Sequence, residues 1–196
     1  MEKNYFHGSS FIVDKPDLKH SRTDIDFGKG FYLTADQVMA SKWAVNKTVS
    51  ILNCYKIDFS ILTVKKMVAD EEWLKYVMYN RGFSNEKPFD DNNYDVIIGP
   101  TADDKLFVAL DYYIDGIMTT KEAIQIINCM KYSEQIVFKN DAAIQKGLVF
   151  TKYKKIYGSE KQRFVELMHN DRINASKKTK LLLQQNASRR EKEGKI

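Results

Sequence analysis

Three short stretches hold the residues whose types and spacing can do chemistry. They are His7-Gly8-Ser9, Asp26-Phe27-Gly28-Lys29-Gly30-Phe31-Tyr32-Leu33-Thr34 and Glu134-Gln135-Ile136-Val137-Phe138. In the middle stretch, two glycines one residue apart precede the pair Phe31-Tyr32, and Thr34 follows where a helical pattern begins. A glycine-hinged loop that delivers a tyrosine from the end of a strand presents an aromatic face to a flat ligand. Gly-Lys-Gly alone also serves plain turns, so the stretch gains meaning from its partners. Glu134 and Gln135 are adjacent on an expected strand and point to opposite faces, so only one of them can serve a given site. A glutamine there can bind a hydroxyl through its carbonyl oxygen but cannot act as a base.

Other polar residues read as ordinary structure. Asp103-Asp104 resembles a metal pair, but no third carboxylate has ligand spacing, so it reads as a loop or helix cap and no metal is expected. His20 and His169 have no partner in view. Cys54 and Cys129 are too few for a disulfide scaffold and lack metal-ligand spacing.

The elements that must position these residues follow from periodicity. Tyr5 to Ser10 reads as a first strand, Phe31 to Leu33 as a second, and Val38, Met39, Trp43 and Ala44 recur at helical spacing, with Thr34 or Asp36 as the cap. Further strands are expected over 50–59, 94–100, 134–139 and 148–154. Helices are expected over 62–81, 107–113, 120–130 and 141–146, with Trp73 and Tyr76 in the core. Strands and helices do not alternate strictly, which predicts an α+β fold with an antiparallel or mixed sheet.

The 196 residues suit one domain, here 1–157, followed by a tail over 158–196 that is helix-compatible or disordered. Apolar residues make up 43% and aromatics 12%, enough for a core. The formal charge of +5 is concentrated: residues 171–196 hold eight Lys or Arg against three Asp or Glu, which leaves 1–170 neutral. A nucleic-acid surface is therefore expected only of the tail, as an electrostatic handle for nucleic acid or an acidic partner. The start has no basic segment leading into an apolar run, and no apolar stretch approaches the ~20 residues that span a bilayer. A soluble, cytoplasmic protein with no membrane partner is the expectation.

Taken together, the three stretches resemble the poly(ADP-ribose) polymerase and diphtheria-toxin-like superfamily. Phe27-Gly28-Lys29-Gly30-Phe31-Tyr32 is similar to its Phe-Gly-Lys-Gly-Ile-Tyr segment, His7-Gly8-Ser9 to its His-Gly-Ser, and Glu134 to Phe138 falls where it has Asn-Glu-Tyr-Ile-Val-Tyr. Residues 4–152 also resemble a group of small bacterial ADP-ribosyltransferase-like proteins that share Asp-Phe-Gly-Lys-Gly-Phe-Tyr, Tyr-Asp-Val-Ile-x-Gly-Pro-x-Ala-Asp and a Gln-initiated strand. The resemblance implies a split β-sandwich of two small, mainly antiparallel sheets flanked by helices. It implies NAD as substrate, no metal, and mono-ADP-ribosylation of an intracellular protein or nucleic acid. The bacterial likeness further implies a toxin or defence effector with a neutralising partner protein. A module that keeps the fold and only binds NAD or ADP-ribose is the alternative.

The same resemblance assigns roles. His7 hydrogen-bonds the adenosine ribose, the Gly8 backbone grips the nicotinamide carboxamide, Tyr32 stacks on the nicotinamide ring and Trp43 supplies a second aromatic wall. Ser9, Gly30 and Phe31 belong to the NAD-binding motifs. Arg22 is read from its place in the polar loop between the first two motifs, either as a group for the pyrophosphate or as a solvated loop arginine. The third motif supplies a group for the nicotinamide ribose 2′-hydroxyl. Spacing against the polymerases favours Glu134 for it, and likeness to the bacterial group favours Gln135, the preferred choice.

Overall fold

The computed structural model describes residues 3–102 and 104–193. Among the described residues, seven strands form two sheets. In the first, β1 (Tyr5–Ser9), β3 (Ile51–Ile57) and β7 (Leu148–Lys155) lie in the order β1-β3-β7, all antiparallel. In the second, β2 (Phe31–Leu33), β6 (Glu134–Phe138), β5 (Val96–Pro100) and β4 (Val64–Lys66) lie in the order β2-β6-β5-β4, and only the β4–β5 pair is parallel. The fold is α+β, with two mostly antiparallel sheets and six helices.

Alternation decides which face of each strand is buried where. Tyr5 and Tyr55 of the first sheet and Phe31, Leu33, Val96, Ile136 and Phe138 of the second share one cluster between the sheets. Tyr32, Ile97 and Val137 point the other way, into a larger core under the helices. That core is built from α2 (Glu71–Asn80), α3 (Asp104–Ile114) and α4 (Thr120–Asn128). Trp73 and Tyr76 sit fully buried in it, as their helical spacing predicts. α1 (Gln37–Val45) covers the outer face of β1, and α5 (Asp141–Gly147) leads into β7.

Two expectations change. The helix expected over 62–81 is shorter, because Val64–Lys66 pairs with β5 as a strand. The helix starts only after Asp70, whose carboxylate accepts the Trp73 amide as an N-cap. The second concerns the tail, expected as either helix-compatible or disordered. Residues Gly158–Glu193 form one 36-residue helix, α6, docked on the body. Phe164, Leu167, Met168, Ala175, Thr179 and Leu182 recur at helical spacing along its inner side. The stripe was hard to see because lysines and small polar residues separate its members. Lys42 of α1 forms an ion pair with Asp171, which ties α6 to the helix over β1.

Candidate functional site at the split between the sheets

The two sheets meet at one point. The Phe6 amide donates to the Thr34 carbonyl at 2.8 Å and the Thr34 amide to the Phe6 carbonyl at 3.0 Å. Beyond this bridge β1 and β2 part. Strand parity directs the N–H and C=O of Gly8 to the same edge as those of Phe6. Among the described residues no strand pairs with that edge past the bridge. Gly8 therefore presents a donor and an acceptor side by side, the pattern a primary carboxamide needs. Glycine is required there: a β-carbon would lie 2.0 Å from the Ala40 carbonyl oxygen and 2.6 Å from the Ala44 nitrogen. α1 packs directly on it, and the half-buried Trp43 lies on the same side.

His7 spans the gap where the ladder ends. Its Nδ1 lies 2.7 Å from the Tyr32 carbonyl oxygen. A carbonyl can only accept, so Nδ1 carries the proton, and the neutral ring offers Nε2 as an acceptor. Burial lowers the pKa of His7 from its usual value, so the neutral ring prevails at pH 7. The ring packs 4.6 Å from that of Phe31, on the face between the sheets.

Tyr32 is half-buried, and its far end is pinned. Its hydroxyl donates to the Gly28 carbonyl at 2.7 Å and accepts from the Phe27 amide at 3.0 Å. Gly28 has φ +65°, the left-handed conformation that closes this small loop. Burial, with Asp26 nearby, holds the Tyr32 phenol well above its usual pKa. The phenol is therefore neutral and held in place. Gly30 lies against β6, where a β-carbon would meet Val137 Cγ1 at 2.3 Å.

Parity separates the two residues of the third motif. Gln135 shares the face of Tyr32 and Val137 and is 2% exposed. Its Nε2 donates to Asp26 Oδ2 at 3.0 Å and to the Pro100 carbonyl at 3.2 Å. Asp26 in turn accepts from the Ala102 amide and from Arg81 Nε and Nη2, at 2.7, 3.0 and 2.5 Å. The Gln135 Nε2 is thus engaged in a buried network. Glu134 is exposed and lies on the face of Phe31, against which His7 packs.

Glu134 is anchored through its backbone. Thr34 Oγ1 donates to the Glu134 carbonyl at 2.7 Å. Asp36 Oδ1 caps α1 by accepting from Val38 and Met39, while its Oδ2 accepts from Ser133 Oγ at 2.6 Å. Sequence reading offered Thr34 and Asp36 only as caps and missed Ser133. Asp36 is the cap, and the pair Thr34 and Asp36 also fastens the start of β6 to the bridge. Ser9 Oγ closes a turn by accepting the Phe11 amide at 3.1 Å. Arg22 is exposed and faces Asp24 at 3.4 Å. The structure brings the His7 ring, the Gly8 backbone edge, Phe31 and Glu134 to the split; Tyr32 contributes its carbonyl there while its ring points to the helical core, Trp43 stands beside Gly8 on α1, and Arg22 is an exposed loop residue.

Concavity alone does not select this place. A hollow of about 570 Å³ lies elsewhere, lined by Glu71, Lys75, Phe83, Lys87 and Tyr113 among others. No helix among the described residues is long and apolar enough to cross a membrane. The family model described as "Protein of unknown function (DUF3990)" matches residues 4–150. No curated protein and no solved structure matches the chain.

Proposed function

The chain belongs to the DUF3990 family, and we propose that it is an NAD-dependent mono-ADP-ribosyltransferase with an ADP-ribosyltransferase-like split sandwich. The observation that carries this reading is the His7–Tyr32 bond at the parting of the sheets, beside the open backbone edge of Gly8. A neutral imidazole with Nε2 outward accepts a hydrogen bond from a ribose hydroxyl. The Gly8 donor–acceptor pair takes the nicotinamide carboxamide with Trp43 beside it, and Tyr32 acts through its backbone carbonyl, which orients His7. Cleavage breaks the bond between the nicotinamide nitrogen and ribose C1′. The electron pair leaves with neutral nicotinamide, and positive charge develops on the ribose as in glycoside hydrolysis. The Glu134 carboxylate holds the 2′-hydroxyl, faces this charge and takes the proton of the acceptor that adds at C1′. Buried Gln135 has no part in the step. It holds the loop that carries Tyr32.

The His7 assignment fixes a pH dependence. The pKa of His7 is lowered by folding, so NAD affinity is expected to stay flat from pH 8 down to the ordinary histidine value of about 6.5 and to fall below it, where Nε2 becomes a donor. The same shift makes its stability contribution fully present above about pH 6.5 and lost as pH falls toward the lowered folded value. Calorimetric titration of NAD across this range checks it. His7→Ala should weaken binding about tenfold, the worth of one lost hydrogen bond. Equal affinity in the variant would remove His7 from the site. Binding with no release of nicotinamide would identify a binding module instead.

A further inference from the structure

The first sheet has a second face. β1, β3 and β7 together hold Lys56, Lys152, Lys154 and Lys155 and no Asp or Glu. The lysines gather at β7, an edge strand whose last five residues are all exposed. Register puts Phe6, Cys54 and Lys152 in one row of the outer face and Gly8, Leu52 and Lys154 in the next. α1 covers only the Gly8 end. The open end is a groove of about 280 Å³ with Phe6, Leu52 and Cys54 in its floor. Lys152 and Lys154 rim one side, and the amide side chains of Asn4 and Gln37 rim the other.

We propose that this groove binds single-stranded nucleic acid and makes it the acceptor. As an acceptor site it rests on the transferase reading above. A half-buried phenylalanine among apolar neighbours suits a base, which stacks on any aromatic face. Amides at the rim match the donor–acceptor edges of bases, and lysines spaced two apart on an exposed edge match successive phosphates. Among the described residues Lys152 makes no ion pair, and Lys154 is met by Glu160 at 2.6 Å, on a partly exposed surface where such a pair is readily exchanged for phosphate. The groove also opens toward the chemistry. Gln37 follows Asp36, the residue that holds Ser133, and Ser133 precedes Glu134. A bound strand passing Gln37 lies next to the carboxylate that takes the acceptor's proton. This places the basic function on the sheet, where the sequence suggested the tail.

The test is fluorescence anisotropy of full-length protein with labelled mixed-sequence single-stranded DNA and RNA 12-mers, titrated at several salt concentrations. Both strands carry the phosphate and base chemistry, and comparing them tells which sugar is preferred. Lys152→Glu/Lys154→Glu is expected to lower affinity at least tenfold and to reduce the slope of log K against log salt by about 1.4, the value for two phosphate contacts. Glu160→Gln should raise affinity. NAD affinity should be unchanged in both, which also shows that the variants fold. The groove is excluded if wild-type protein binds neither strand. It is also excluded if Lys177→Gln/Lys180→Gln on α6 lowers affinity as much as the groove pair does, or if poly-glutamate binds as tightly as the oligonucleotides. Nucleic-acid binding without NAD turnover would leave the groove standing and refute only the transferase reading.

Discussion

Glu134→Gln is expected to lower nicotinamide release by roughly 10²–10⁴-fold, the usual worth of a positioned general base, while leaving NAD affinity within a factor of two or so. Glutamine keeps the shape and an acceptor oxygen but cannot take a proton. The paired experiment uses Gln135→Leu. Gln135 lies 3.0 Å from Asp26 and is 2% exposed, so its loss leaves Asp26 Oδ2 with fewer donors and reduces stability. Its kcat should change far less than that of Glu134→Gln, measured by chromatography of nicotinamide at saturating NAD. The reverse ordering would return the catalytic role to Gln135. Parity on β6 decides between them: one residue of offset exchanges the face of the His7–Phe31 pair for the face of the helical core.

The second large effect concerns stability. Asp26→Ala is expected to cost about 3 kcal/mol, read as a shift in the urea unfolding midpoint at unchanged slope. The carboxylate serves four donors: Arg81 Nε and Nη2, the Ala102 amide and Gln135 Nε2. Removing it takes a carboxylate from a guanidinium whose side chain is 17% exposed and which keeps the Ala102 carbonyl at 2.8 Å, and this places the cost at the lower end for a broken buried pair. Arg81→Met alone should cost less, since the carboxylate keeps two donors. A loss below about 1 kcal/mol in Asp26→Ala would show that water or other groups replace the network.

The same loop is clamped from its other side. Lys139 Nζ donates to the Phe27 carbonyl at 2.5 Å, and Tyr76 donates to Asp91 at 2.7 Å, with Lys139 3.3 Å from that carboxylate. Two charged networks therefore hold Asp26 and Phe27, and Tyr32 is pinned to the next peptide. These bonds fix the loop that leads into the three-residue strand β2 and, through the Tyr32 carbonyl, the position of His7.

Much of this was legible beforehand and some was not, for physical reasons. The alternation in Ile51–Ile57, the β-branched and aromatic content of Glu134–Phe138, and the helical spacing of Trp73 and Tyr76 marked their elements correctly. Local pattern failed at Val64–Lys66, where three residues are a strand only because β5 lies beside them. The Asp26–Arg81 pair joins residues 55 apart, and nothing in either neighbourhood announces the other. His7, Gly8 and Tyr32 were legible as types in order. The tautomer of His7 was not, because it depends on which carbonyl the fold brings to Nδ1. Glu134 and Gln135 could not be separated without the register of β6 on β2.

The central claim is that the split between the sheets cuts NAD. Full-length protein incubated with NAD at pH 7.5, with nicotinamide quantified over time beside His7→Ala, tests it most directly. Wild-type protein should release nicotinamide steadily, and His7→Ala, at NAD well below saturation, should release it about tenfold more slowly. No release by the wild type, or equal release by the variant, would contradict NAD cleavage at this site.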